Sequence, residues 1–162
     1  MGYWLLKSEP ATFSIADLEA ASEQTTSWEG VRNYQARNFL RDGLRVGDQA
    51  FFYHSGILSP AIAGIVEITR EGYPDETAFD PASAYYDPAS TSAQPRWYRV
   101  DVRLNRRLRR PITLTELKQH REALGDFALL RQGNRLSVLP VTAAQWVLIL
   151  MLEAGLAPSI QK

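Results

Sequence analysis

From Trp97 to about Arg109 the chain alternates two chemistries residue by residue. Tyr98, Val100, Val102, Leu104 and Leu108 fall on one side; Trp97, Arg99, Asp101, Arg103, Asn105, Arg107 and Arg109 fall on the other. A period of two belongs to a strand with one dry and one wet face, and a half-wet strand implies an antiparallel sheet. Gln49 to Ser55 also alternates, but Phe51, Phe52 and Tyr53 put aromatic rings on both of its faces. Such a strand is normally buried between layers. Tyr3 to Lys7, the Ile- and Val-rich run Ala61 to Thr69, and Leu136 to Leu139 read as further strands.

Helices are announced by their caps. Ser14 with Asp17 opens one through about Ala21, and Thr142 with Gln145 opens another through about Ala154, ended by Gly155. Asn33 caps Tyr34 to Arg41, ended by Gly43, and Thr113 or Thr115 begins a helix to about Ala123. Glu23 to Gly30 is polar and turn-like apart from Trp28. Gly72 to Arg96 is a long irregular stretch with four prolines, and its Phe79, Tyr85 and Tyr86 are too aromatic for an idle linker. The strands lie too close together for parallel crossovers. The order therefore predicts an α+β chain: a small antiparallel barrel flanked by helices.

The length of 162 residues suits one domain over 1–162. Eighteen Lys plus Arg balance eighteen Asp plus Glu, which argues against a protein that coats nucleic acid through bulk charge. The absence of cysteine removes disulfides, thiolate metal sites and cysteine nucleophiles together. MGYWLLKSEP lacks a signal-peptide core, and Leu6 stands where a myristoylation signal needs Ser or Thr. A soluble cytoplasmic protein, nuclear in a eukaryote, is expected, monomeric and without membrane contact. Walker, HExxH, GxSxG and dinucleotide-binding patterns are missing. His54 and Ser55 are strand neighbours pointing to opposite faces, so they make no nucleophile–base pair. Asp75, Glu76, Asp80 and Asp87 lack the spacing of a calcium loop, so neither metal nor cofactor is expected.

Three clusters invite a binding role, each beside a plainer reading. In W-E-G-V-R-N-Y-Q-A-R-N-F-L-R, Trp28 stands in a polar loop beside Gly30, while Arg32, Asn33, Arg37 and Asn38 gather around a helix start suited to an anion; Trp28 could equally be core and Asn33 only a cap. Tyr53, His54 and Ser55 sit where a strand meets its loop, as barrel-mouth residues or as packing. Arg99, Arg103, Arg107 and Arg109 want a phosphate backbone, compensating acids such as Asp101, or water.

Together with Y-W-L-L-K-S-E-P, F-F-Y-H-S, P-R-W with V-D-V, and R-L-S-V-L-P-V-T, these motifs closely resemble the EVE domain family over about Tyr3 to Leu150. The resemblance implies a PUA-like barrel related to the YTH, ASCH and SRA groups, and binding of a modified base, in DNA or RNA, without catalysis. Lys7-Ser8 and Trp28 resemble the K-S pair and the cage tryptophan of YTH modules; the other cage walls have no motif-level counterpart. The expected site stacks an extruded base on Trp28, closed by Tyr53, Trp97 or Phe79. Lys7, Ser8, Asn33, Asn38, His54, Ser55 and the N–H groups of Gly30, Val31 and Arg32 surround it, and Arg32, Arg37, Arg99, Arg103 and Arg107 hold flanking phosphates. A small-molecule or nucleotide-binding module and a hydrolase of modified nucleotides remain alternatives.

Overall fold

The computed structural model describes residues 2–156. Strands β1 (Tyr3–Ser8), β2 (Thr25–Trp28), β3 (Gln49–His54), β4 (Ala61–Pro74), β5 (Tyr98–Thr113) and β6 (Val138–Val141) form one sheet in the order β2-β5-β4-β3-β1-β6. Around it lie α1 (Ile15–Ala20), α2 (Tyr34–Asn38, continued by a wider turn through Gly43), α3 (Leu114–Gln119), α4 (Arg121–Leu124) and α5 (Ala143–Glu153). Both expected capping boxes are present, Ser14 with Asp17 on α1 and Thr142 with Gln145 on α5. Thr113 caps α3, and Asn33 caps α2 by accepting the Ala36 N–H at 2.9 Å.

Three expectations are corrected. β1 pairs with β3 in parallel, Tyr3 opposite Gln49 through Ser8 opposite His54, so the sheet is mixed. The excursion through α1, β2 and α2 is long enough for a parallel crossover. The segment Thr25–Trp28, expected as turn, is an edge strand on β5; its Thr-Thr-Ser start carries no apolar alternation because only Trp28 turns inward. The irregular stretch begins only after Pro74, where β4 ends, and its start forms a short helical turn over Glu76–Phe79.

The sheet must curl. Trp28 on β2 meets Phe52 on β3 edge-on, with ring centroids 5.3 Å apart. These strands are three steps apart in the sheet order, which in a flat sheet would separate them by about 14 Å. Register shifts between β4 and β5 supply the bend. Curling creates an inside, filled by Leu6, Phe52, Val66, Ile68, Val100 and Val102 with Trp28 and residues of α1 and α2. The opposite face carries Leu5, Phe51, Tyr53 and Ile65 and packs against α3, α4 and α5, where the Trp146 ring stacks on Phe51 at 3.9 Å. β3 is therefore covered on both sides, as its aromatic pattern predicts.

The connection from β4 to β5 is fastened to the β2–α2 turn by one carboxylate. Asp75 is fully buried. Its Oδ2 accepts the Gly30 N–H at 2.9 Å and Arg32 Nη1 at 3.1 Å, while Oδ1 accepts the N–H and the hydroxyl of Thr77. Burial alone would raise its pKa, but the hydrogen bonds from Thr77, Gly30 and Arg32 outweigh it and hold the carboxyl below its usual value. Arg32 in turn donates to the Tyr85 carbonyl at 2.6 Å, and Tyr85 lies directly over Gly30. Gly30 has φ +83°, and a Cβ there would sit 2.6 Å from the Tyr85 ring.

Asp75→Asn should lower unfolding free energy by about 2–3 kcal/mol at neutral pH, since several charge-assisted hydrogen bonds weaken at once. The folded carboxyl titrates below its unfolded value of about 3.9, so its contribution is whole above roughly pH 4 and is lost as pH falls further. Urea titrations at pH 7 and pH 3 check both points: the gap between wild type and variant should narrow in acid.

Candidate nucleic-acid interface

Curling brings β1 and β2, four steps apart in the sheet order, to opposite sides of one opening. The result is a cleft of about 690 Å³ lined by Lys7, Ser8 and the following turn, by Thr26 to Arg32, and by Ser55, Gly56, Tyr85, Arg135 and Ser137. Its volume falls within the range of small-molecule sites. Seven of the sequence-predicted residues meet here: Lys7, Ser8, Trp28, Gly30, Val31, Arg32 and Ser55. Trp28 is only 7% exposed: its indole packs edge-on against Phe52, and the residue also lines the cleft, so its two readings meet at one position.

Lys7 is the electrostatic centre of the cleft. Burial pushes its ammonium below the ordinary lysine value, and no carboxylate among the described residues pairs with it. A partly desolvated ammonium without a carboxylate partner gains from an acceptor brought in by a ligand. Ser8 is already committed, its hydroxyl donating to the Phe13 carbonyl at 2.6 Å and so folding the Glu9–Phe13 turn over the cleft. Arg135, on the rim, is exposed. Glu9 and Glu29 add acceptors to the wall, but Glu29 is held by Arg99 at 2.8 Å and by Ser27 at 3.0 Å.

The other expected residues stand outside the lining. Tyr53 is buried in the α5-side core, which pushes its phenol up to about 12. His54 accepts the Ile15 N–H on Nε2 at 3.1 Å, securing the start of α1, and burial and Arg107 lower its pKa. Its role is structural, not that of a barrel-mouth residue. Asn33 is the α2 cap, and Asn38 accepts from Arg37 Nε at 2.9 Å. Trp97 is clamped, stacked on Tyr34 at 4.8 Å with Arg32 over it at 5.3 Å, and its indole N–H donates to Asp87 at 2.7 Å. Phe79 ends the short turn after Asp75 and does not reach the cleft. The walls that sequence reasoning missed include Phe13 and Tyr85. Tyr85 stood out as one of the loop aromatics, whereas nothing local to Phe13 marks it.

Three of the four arginines of the row find acids, although Arg103 and Arg107 stay partly exposed. Arg99 pairs with Glu29 at 2.8 Å and Glu76 at 3.7 Å, Arg103 with Glu67 at 3.1 Å, and Arg107 with Glu19 at 3.2 Å. Asp101, the expected compensating acid, instead accepts the Tyr73 hydroxyl. Arg37 donates to the Arg96 carbonyl at 2.6 Å. Of the five arginines expected to hold phosphates, only Arg32 lines the cleft, and it is tied to Asp75.

Known proteins bear on this geometry. The family model described as the EVE domain matches residues 2–152. Thymocyte nuclear protein 1 of Danio rerio is 46% identical over 166 residues, spanning 93% of this chain and 71% of that protein. Its Homo sapiens counterpart is 44% identical over 167 residues, spanning 93% and 73%. A crystal structure of the human THYN1 protein in complex with 5-methylcytosine-containing DNA superposes with TM-score 0.90 at 43% identity, covering 94% of this chain and 98% of that one. A Pseudomonas putida protein superposes with TM-score 0.88 at 48% identity, covering 93% and 99%. The curled mixed sheet, the sequence motifs and these matches agree: the chain belongs to the EVE domain family.

Proposed function

We propose that this protein is a non-catalytic module that takes a modified base of DNA into the Lys7–Trp28 cleft. One observation carries the reading: a chain with a tryptophan beside vacant volume and an unpaired, half-buried ammonium shares its fold with a protein solved on 5-methylcytosine-containing DNA. The base leaves the stack and lies against Trp28, with Phe13 and Tyr85 completing an aromatic surround in place of the buried Tyr53 and Trp97. Stacking gives about 1–3 kcal/mol and does not distinguish bases. Lys7 donates to an acceptor on the base edge, and the free carboxylate of Glu9 accepts from an exocyclic amino group. A methyl group contributes only about 0.8 kcal/mol through burial, roughly fourfold. Greater selectivity requires that the wrong base leave Lys7 or Glu9 without a partner.

Arg135 on the rim contacts a flanking phosphate. With three arginines of the row paired to glutamates and no net charge on the chain, such contacts are few, and the salt dependence is shallow.

Binding of duplexes, single strands and RNA carrying one modified cytosine, measured by anisotropy beside the free nucleoside, tests the reading. A nucleoside that binds as tightly as the oligomer would favour a small-molecule module instead. Trp28→Ala should weaken binding at least tenfold, while Trp28→Phe, which keeps a ring, should recover most of it in a protein shown to be folded by circular dichroism.

Two charges separate the base from the backbone. Lys7→Gln should lower affinity by about 1.5–3 kcal/mol at low and high salt alike, as loss of a base-edge hydrogen bond requires. Arg135→Ala should reduce the slope of log K against log salt by about 0.9 while leaving the preference for the modified base unchanged. Equal salt slopes for wild type and Arg135→Ala would remove Arg135 from the interface.

A further inference from the structure

The hairpin between β3 and β4 ends in two exposed apolar residues. Leu58 is fully exposed, at 104%, and Ile57 is 43% exposed. Scattered surface apolar side chains are ordinary, but this pair sits at the tip of a loop whose first residues, Ser55 and Gly56, are themselves cleft wall. The base of the loop is tied to its neighbours on both sides. The Ser55 N–H donates to the Ser8 carbonyl at 2.9 Å, and the Pro60 carbonyl accepts the Leu114 N–H at 2.8 Å. Gly56 has φ +69°, and a Cβ there would lie 2.4 Å from the Glu9 carboxylate, so the turn is set against the Glu9–Phe13 flap. From Ser55 to Pro60 the loop carries no charged side chain.

We propose that Ile57 and Leu58 form a wedge that enters the DNA stack and fills the gap left by the base held in the cleft. The inference rests on the base-extrusion reading above. Extruding a base leaves a slot one base step thick, whose neighbours lose their stacking partner, and leucine and isoleucine are among the side chains proteins insert there. Two residues beyond Gly56 the chain can reach about 7 Å from the cleft wall, enough to span one base step of 3.4 Å. An uncharged tip approaches the polyanion without repulsion and without desolvating a charge.

The test uses wild type, the double variant Ile57→Ala/Leu58→Ala, and Leu58→Met. Each is titrated against a duplex with one 5-methylcytosine flanked by 2-aminopurine, and against the corresponding single strand. Leu58 has no packing to lose and Ile57 is only partly covered, so melting temperatures should stay within a few degrees of one another. The double variant should bind the duplex about tenfold more weakly, bind the single strand within twofold of wild type, and lose most of the 2-aminopurine emission rise, while Leu58→Met restores both. Unchanged duplex affinity, an emission rise retained in the double variant, or an equal loss on single strand and duplex overturns the wedge alone. Wild type that fails to bind the duplex, or binds it with no emission rise, overturns base extrusion and the wedge with it.

Discussion

An ionised carboxylate wholly removed from water is tolerable only when donors surround it, and Asp75 gathers its donors from both sides of the cleft's outer wall. Because Gly30 and Arg32 supply two of them, the β2–α2 turn and the β4–β5 connection cannot move independently. Tyr85 is drawn over Gly30, Trp97 is pinned between Tyr34 and Arg32, and the cleft keeps its width. That anchor works with the bonds from Arg32 to the Tyr85 carbonyl and from Arg37 to the Arg96 carbonyl in holding the long connection.

Local chemistry was legible in the sequence and long-range pairing was not. The two capping boxes, the Asn33 cap and the alternation of β3 and β5 each depend on neighbours within a few residues, and the structure shows them all. β2 escaped because an edge strand of Thr-Thr-Ser has one partner and no dry face. The parallel pairing of β1 with β3 escaped because the intervening excursion counts as a crossover only once its ends are known to lie side by side. Asp75 reads as one of several loop acids, since nothing in sequence distinguishes a buried carboxylate from a solvated one.

For the cleft, the sequence pointed to a strip of chain that lines it but not to which rings face the opening. Lys7, Ser8 and Trp28 to Arg32 line the cleft, while Tyr53, His54 and Trp97 are spent on packing and hydrogen bonding. The arginines of β5 illustrate the same limit in electrostatics: a basic row on one strand says nothing of the glutamates that β4, α1 and the β2 loop lay against it. Exposed pairs of this kind contribute about 0–1 kcal/mol each, and their larger effect is to cancel the local field.

The curled sheet divides the interior into two compartments, and the cleft borders only the one that holds Trp28 and Phe52. The compartment under α5, with Phe51 and Trp146, fixes strand order without sharing a side chain with the opening. Substitutions that retune what the opening accepts therefore draw on one reservoir of packing and leave the other intact, so a lineage of such chains can diversify its ligands while inheriting an unaltered frame.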